Sequence, residues 1–172
     1  VTLAAAVAMA KTIRAVAPDL GVEIRWPNDL YVGDRKLAGI LVEVTASAGG
    51  PIGAVIGAGV NVTQRGDALA DAARSLGRPI TSLIAEGAGV DRLRVAGELV
   101  RQLDTWLEAS DARCVEAWRA FSRLLGRSVM LSCDGRSMRG EVLDLDPVRG
   151  LIVRQGDGAI AHFSAATTSV EA

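Results

Sequence analysis

Along the first twenty residues apolar side chains return at helical spacing. Leu3, Val7, Ala10 and Ile13 fall on one face, and Pro18 and Gly21 stop the pattern, so an amphipathic helix is expected. The period then drops to two. Val22, Ile24 and Trp26 share one side of a strand, which Pro27-Asn28-Asp29 breaks. Residues 30–32 resume it, Gly33-Asp34 supplies hairpin chemistry, and residues 36–44 form the return strand. A second turn region is expected at residues 47–51 and a further strand at 52–60.

That last strand reads VIGAGVN. Alternation puts Gly57, Gly59 and Asn61 on one side, stripped of side chains and ending in an amide. Glycine weakens a strand unless something must approach the backbone closely. A ligand on this strand is the reading we favour; a helix packed closely on the sheet is the alternative.

Residues 64–90 mix helix and loop. Asp91 is placed to cap a helix whose stripe is Leu93, Ala96, Leu99, Val100, Leu103, Trp106 and Leu107. A second helix shows Cys114, Trp118, Phe121 and Leu125, closed by Gly126. Trp106, Trp118 and Phe121 lie on these stripes and are expected in the core. After Gly126 the character changes. Turn signals at Asp134-Gly135, Asp146-Pro147, Arg149-Gly150 and Gly156-Asp157-Gly158 punctuate four or five short strands, as in a small barrel or sandwich. A boundary near residue 123 divides the chain into 1–123 and 124–172.

Composition narrows the partners. The 172 residues are 49% apolar and 23% charged, as in a globular domain. With 19 basic and 20 acidic side chains the net charge is −1, which gives no electrostatic case for nucleic acid or membrane. The apolar run VTLAAAVAMA is interrupted by Lys11 and Arg14, too short to span a bilayer and not preceded by an export signal, so a cytoplasmic protein is expected. Cys114 and Cys133 form no CxxC pattern and His162 is the single histidine. Buried free thiols are therefore expected, and neither a zinc site nor a disulfide framework.

The candidate chemistry lies in Asn28, Asp29, Lys36 and Asn61, close to the glycine-bared strand. A lysine can neutralise a carboxylate or phosphate, and a carboxamide can read the edge of adenine. Asp29 can hold Lys36 in place or bind Mg2+. Each residue also has a structural reading: a turn after proline for Asn28 and Asp29, a solvated edge charge for Lys36, a strand-end cap for Asn61. No GxxxxGK[ST] motif is present, and one distant histidine rules out a Ser-His-Asp arrangement.

RWPNDLYVGDRKLAGILVEV followed by VIGAGVNV resembles the signature of the biotin–protein ligases, that is, biotin–[acetyl-CoA-carboxylase] ligases. The resemblance extends over the whole chain. It implies a mixed α/β sheet with packed helices, of the class II synthetase-like biotin/lipoate ligase fold, and then a small Src-homology-3-like barrel. It implies ATP, biotin and Mg2+, with biotin activated to biotinyl-5′-AMP and then transferred to a lysine of a biotin carboxyl carrier domain. By this resemblance Lys36 meets biotin's carboxylate and the phosphate; Gly39, Ile40 and Leu41 border biotin; Gly57 lies where biotin meets adenylate. Asn61 and Gly59 match the adenine side, and Asn28 and Asp29 border the phosphates. Asp29 is the candidate for orienting the incoming amine and for a Mg2+ contact.

Arg25 stands where the family usually has lysine, and by the resemblance it joins Asn28, Asn61 and Gly59 as an ATP- and adenylate-binding residue. The family's Gly/Arg-rich loop and its upstream Ser/Thr and Gln contacts to biotin have no counterpart, and the first residue is Val1, so further sequence is expected upstream. Dimerisation is left open. A lipoate–protein ligase shares the fold and the adenylation chemistry; a non-catalytic biotin-binding or regulatory module is the alternative from another class.

Overall fold

A computed structural model describes residues 1–47, 50–133 and 135–171. The described residues form two antiparallel sheets and four helices. The first helix, α1 (Thr2–Val16), is the centre of the core: from Ala4 to Ala10 every side chain is buried, as are Thr12 and Ile13. Small alanines let neighbouring elements approach α1 from several sides, which is why it is apolar nearly all round.

On one side of α1 lies a four-stranded sheet in the order β1-β2-β3-β4, with β1 (Val22–Arg25), β2 (Asp29–Val32), β3 (Arg35–Ser47) and β4 (Gly50–Val60). Where a mixed sheet was expected, every ladder of this sheet among the described residues is antiparallel, and the parallel element is an isolated bridge between Lys36 and Ile80. Ile24, Leu30, Ala38 and Ile40 face the core. Trp26 falls outside β1, in the turn with Pro27 and Asn28. β3 and β4 extend further than read from the sequence, and residues 48–49 of the expected turn region lie outside the described residues.

Helix α2 (Gly66–Leu76) is followed by α3 (Arg92–Leu107) and α4 (Asp111–Phe121). Asp91 caps α3, its carboxylate accepting from the N–H groups of Leu93 and Arg94, an arrangement worth about 1 kcal/mol. The stripe of α3 is narrower than expected. Val95 and Trp106 are buried and Leu99 and Leu103 are half-buried, whereas Leu93, Ala96, Val100 and Leu107 face solvent. Only the strip against α1 is covered, so the wider apolar face has nothing to pack on among the described residues. Lys11 of α1 lies 5.5 Å above the Trp106 ring and 5.6 Å above Phe121, joining three helices through cation–π contacts. Trp106, Trp118 and Phe121 are core residues, as the stripes predicted.

α4 ends at Phe121, not at Gly126. Ser122 is already extended, and Gly126 belongs to the following turn, where its N–H bonds to the Val142 carbonyl. The second sheet then runs β8-β7-β6-β5-β9, from β5 (Ser128–Cys133), β6 (Arg136–Asp146), β7 (Gly150–Gln155), β8 (Ile160–Phe163) and β9 (Thr168–Glu171). Five strands form where four or five were read. Asp134 of the first turn signal lies outside the described residues. Cys114 is a buried free thiol, and burial pushes its pKa up; Cys133 is half-buried, its sulfur 3.8 Å from the Thr167 hydroxyl.

Candidate functional site

The polar side of the first sheet is assembled by cross-strand register. Glu23 pairs with Tyr31, Arg25 with Asp29, Asp29 with Gly39, and Gly39 with Gly59; Leu41 opposes Gly57. Residues opposite one another share a face. Gly39, Leu41, Gly57 and Gly59 therefore lie side by side. A Cβ on Gly57 or Gly59 would meet nothing nearer than 3.7 Å, so this strip has open room. No described helix packs on it.

Simple alternation would put Lys36 with Ala38 and Ile40, towards the core. The register instead slips between Leu30 and Tyr31: Leu30 opposes Ala38 while Tyr31 opposes Lys36, leaving Leu37 as an extra residue. Leu37 and Ala38 are consequently both buried, and Lys36 turns to the glycine face. Re-aiming a side chain is what a bulge does. The bulge is held from outside the sheet, because the Lys36 N–H donates to the Pro79 carbonyl and its carbonyl accepts from Thr81 N–H, both at 2.9 Å.

The Lys36 ammonium donates to Asp29 Oδ2 at 2.6 Å, with both side chains about four-fifths buried. The pair stands over Gly39. A Cβ built there would lie 3.0 Å from Asp29 Oδ1 and 3.2 Å from Lys36 Nζ. Arg78 reaches the same carboxylate oxygen at 3.6 Å and donates to the Tyr31 hydroxyl at 3.3 Å. The hydrogen bond to Tyr31 is the main reason the Arg78 pKa is raised. Neither Arg78 nor Tyr31 was marked by the sequence, since nothing local announces a contact across more than forty residues.

The remaining expected residues divide. Asn61 is half-buried; its N–H donates to the Leu37 carbonyl and its carbonyl accepts from Leu83. Among the described residues its carboxamide makes no hydrogen bond. Asn28 and Ile40 engage each other: Ile40 N–H donates to the Asn28 carbonyl at 3.0 Å, and Asn28 Nδ2 donates to the Ile40 carbonyl. The Ile40 side chain faces the core, and Leu41 is exposed. Arg25 donates to Glu23 at 2.9 Å, to the Gly33 carbonyl at 2.8 Å and to Asp34 at 3.0 Å, and its guanidinium stacks 4.1 Å from the Tyr31 ring centre. Burial works against its charge, but Glu23 and Asp34 outweigh that and raise its pKa.

A cavity of about 470 Å³ opens beside this face, between Trp26, Pro27, Asn28, Leu41 and the β6–β7 turn at Val148. Lys36 and Asp29 are outside it, on the open strip. Among the described residues no group of three His, Cys, Asp or Glu side chains could hold a metal ion. None of the described helices is long and apolar enough to cross a membrane.

Residues 1–61 match the Biotin/lipoate A/B protein ligase family, and the chain is related to the biotin protein ligases. It is 33% identical over 163 residues to the bifunctional ligase/repressor BirA of Escherichia coli, covering 92% of this chain and 49% of that protein. Against the biotin–[acetyl-CoA-carboxylase] ligase of Mycobacterium tuberculosis it is 31% identical over 153 residues, covering 84% of this chain and 53% of that protein. The chain thus spans about half the length of these relatives. The fold matches the apo biotin protein ligase of Aquifex aeolicus with a TM-score of 0.80 at 20% identity, over 99% of this chain and 73% of that one. A structure of the Aquifex aeolicus ligase in complex with biotin and ATP matches at a TM-score of 0.74 and 20% identity, over 99% and 70% respectively.

Proposed function

We propose that this chain carries the adenylate-forming and acyl-transfer site of a biotin–protein ligase. The observation that supports it most is the Lys36–Asp29 pair poised over Gly39, on a strip with room for a flat ligand. Relatives that are named biotin ligases, and a structural neighbour that holds biotin and ATP, give the ligand classes.

In the first step a carboxylate oxygen of biotin attacks the α-phosphorus of ATP. A new P–O bond forms, the bond to the bridging oxygen breaks, and pyrophosphate leaves with the electron pair. Two anions must approach one another, and a fixed ammonium offsets the charge that accumulates between them. Lys36 has three donors and spends one on Asp29. In the second step the amine of an acceptor lysine attacks the anhydride carbonyl, AMP departs, and the amide forms with loss of a proton. Asp29 is the carboxylate at hand to orient that amine.

Asn61 supplies a free carboxamide for adenine, next to Gly59. Gly39, Leu41 and Gly57 border biotin. Asn28 and Ile40 hold each other and shape the wall, and Arg25, its donors committed to Glu23, Gly33 and Asp34, braces the sheet instead of contacting the nucleotide. Mg2+ fits here only as an ion carried by the nucleotide's phosphates. Asp29 is a single carboxylate already bonded to Lys36, too little for a protein-built cage. Residues 1–123 form the catalytic portion and 124–172 the small Src-homology-3-like barrel, with a biotin carboxyl carrier domain as the acceptor.

Biotin-dependent exchange of labelled pyrophosphate into ATP tests the first step, and biotin transfer to a carrier domain the second. Exchange supported by lipoate but not by biotin would move the reading to a lipoate ligase. Calorimetric binding of biotin with no exchange at all would make this a binding module.

A further inference from the structure

The segment following α2 does more than connect. Its backbone clamps the bulged Lys36 from both sides, through the Pro79 carbonyl and Thr81 N–H. Arg78, the residue after the C-cap Gly77, brings a second cation to the carboxylate that Lys36 already holds, 3.6 Å from Asp29 Oδ2 and anchored at 3.3 Å on the Tyr31 hydroxyl. Asp29 therefore has one close cation and one in reserve. An anion that draws the Lys36 ammonium away from Asp29 leaves behind a carboxylate that is about four-fifths buried. A part-buried charge left without a partner is costly. A guanidinium one short step away removes that cost by closing onto Asp29 as Lys36 leaves.

Resting on the ligase reading above, we propose that Arg78 is a positioning residue that exchanges with Lys36 as the counter-ion of Asp29, freeing the ammonium for the carboxylate and phosphate of the reacting pair. Arg78 touches neither substrate in this scheme. Its side chain is half exposed, so replacing it leaves the core intact.

The experiment uses Arg78→Met, Arg78→Lys and Tyr31→Phe, each checked by thermal melting. In pyrophosphate exchange, Arg78→Met is expected to lose about tenfold in kcat/KM for biotin, the scale of one charge-assisted hydrogen bond, with KM for ATP little changed. Arg78→Lys should recover most of that loss, and Tyr31→Phe, which loosens the anchor, should fall between. A second readout needs no turnover. The chain has only two lysines, Lys11 and Lys36, so brief labelling with acetic anhydride and mass spectrometry follows Lys36 cleanly. Without Arg78 the whole carboxylate charge falls on Lys36, and its acetylation should slow several-fold while Lys11 is unchanged.

Slower Lys36 labelling in Arg78→Met, in a protein that shows no biotin-dependent exchange even as wild type, would support the counter-ion role and sink the ligase reading. Unchanged Lys36 labelling in Arg78→Met overturns the proposal, whatever exchange does. So does an equal loss of exchange in Arg78→Met and Arg78→Lys, which would mark Arg78 as merely structural.

Discussion

Two acid–base pairs lie on the same face of the first sheet, and they differ in what surrounds them. Glu23 accepts from Arg25 and from Arg123, both at 2.9 Å, while Arg25 is further bonded to Gly33 and Asp34 and stacked on Tyr31. That cluster is closed. The Asp29–Lys36 pair is shorter, at 2.6 Å, but keeps unspent donors and stands over a glycine beside an open strip. Saturated charges hold a fold together; unsaturated charges at a bared backbone are available to a ligand. Substitutions at the two pairs should therefore separate stability from chemistry.

The largest effect is expected from Lys36→Ala. Exchange should fall by about two to three orders of magnitude, the range seen when a fixed charge-stabilising donor is removed, while the melting temperature barely moves. Near-normal exchange would take Lys36 out of the mechanism and erase the contrast between the pairs.

Asn61→Ala comes next. Its carboxamide makes no hydrogen bond among the described residues, so its loss should cost binding and not folding. A lost bidentate amide is worth about 1–3 kcal/mol, and the loss should appear in KM for ATP more than for biotin. Equal weakening of the two would contradict a place beside adenine.

How much of this was legible beforehand depends on whether the signal was local. The helix α1, the hairpin at Gly33-Asp34, the glycine-rich strand through Gly57 and Gly59, and the Asp91 cap follow from periodicity and turn chemistry within a few residues. The bare face was legible too, because strand alternation fixes which glycines share a side. The orientation of Lys36 was not. Alternation alone sends it inward, and the bulge that turns it out is imposed by residues 79–81, far along the chain. The one local sign is that Leu37 and Ala38 are adjacent and both apolar. Likewise the commitment of Arg25 depends on Asp34 and Tyr31 meeting it across a hairpin, and the narrow stripe of α3 depends on α1 covering only part of it. Long-range packing decides such cases, and periodicity does not report it.

Gly39→Ala probes the seat of the reactive pair. The new methyl would lie 3.0 Å from Asp29 Oδ1 and 3.2 Å from Lys36 Nζ, both at the ends of flexible side chains. These can give way by a few tenths of an ångström, so the fold should tolerate the change. The pair would shift, and a displacement of that order at a reacting centre should lower exchange by about tenfold. Gly59→Ala has a different neighbour, the Gly39 carbonyl at 3.8 Å, and needs no such shift. Any loss there would report a ligand lying on the strand. If both alanines left exchange and ligand affinity unchanged, the bare strip would have no ligand role.

The smallest effect on chemistry is expected where the effect on stability is greatest. Glu23 is 7% exposed and ties β1 to Arg25 in the same strand and to Arg123, in the connection between α4 and β5. Glu23→Gln keeps the shape but removes the charge that two guanidiniums share. Because Arg123 is well exposed, solvent screens much of its part, and a loss of about 1–3 kcal/mol in urea unfolding is expected from the Arg25 side. Exchange, measured well below the melting temperature, should stay within about twofold of wild type, since the Glu23 carboxylate bonds only to these braces and not to Lys36 or Asp29. A folded Glu23→Gln protein with strongly reduced exchange would show that the closed cluster and the open pair act as one unit, and the division between them would have to be given up.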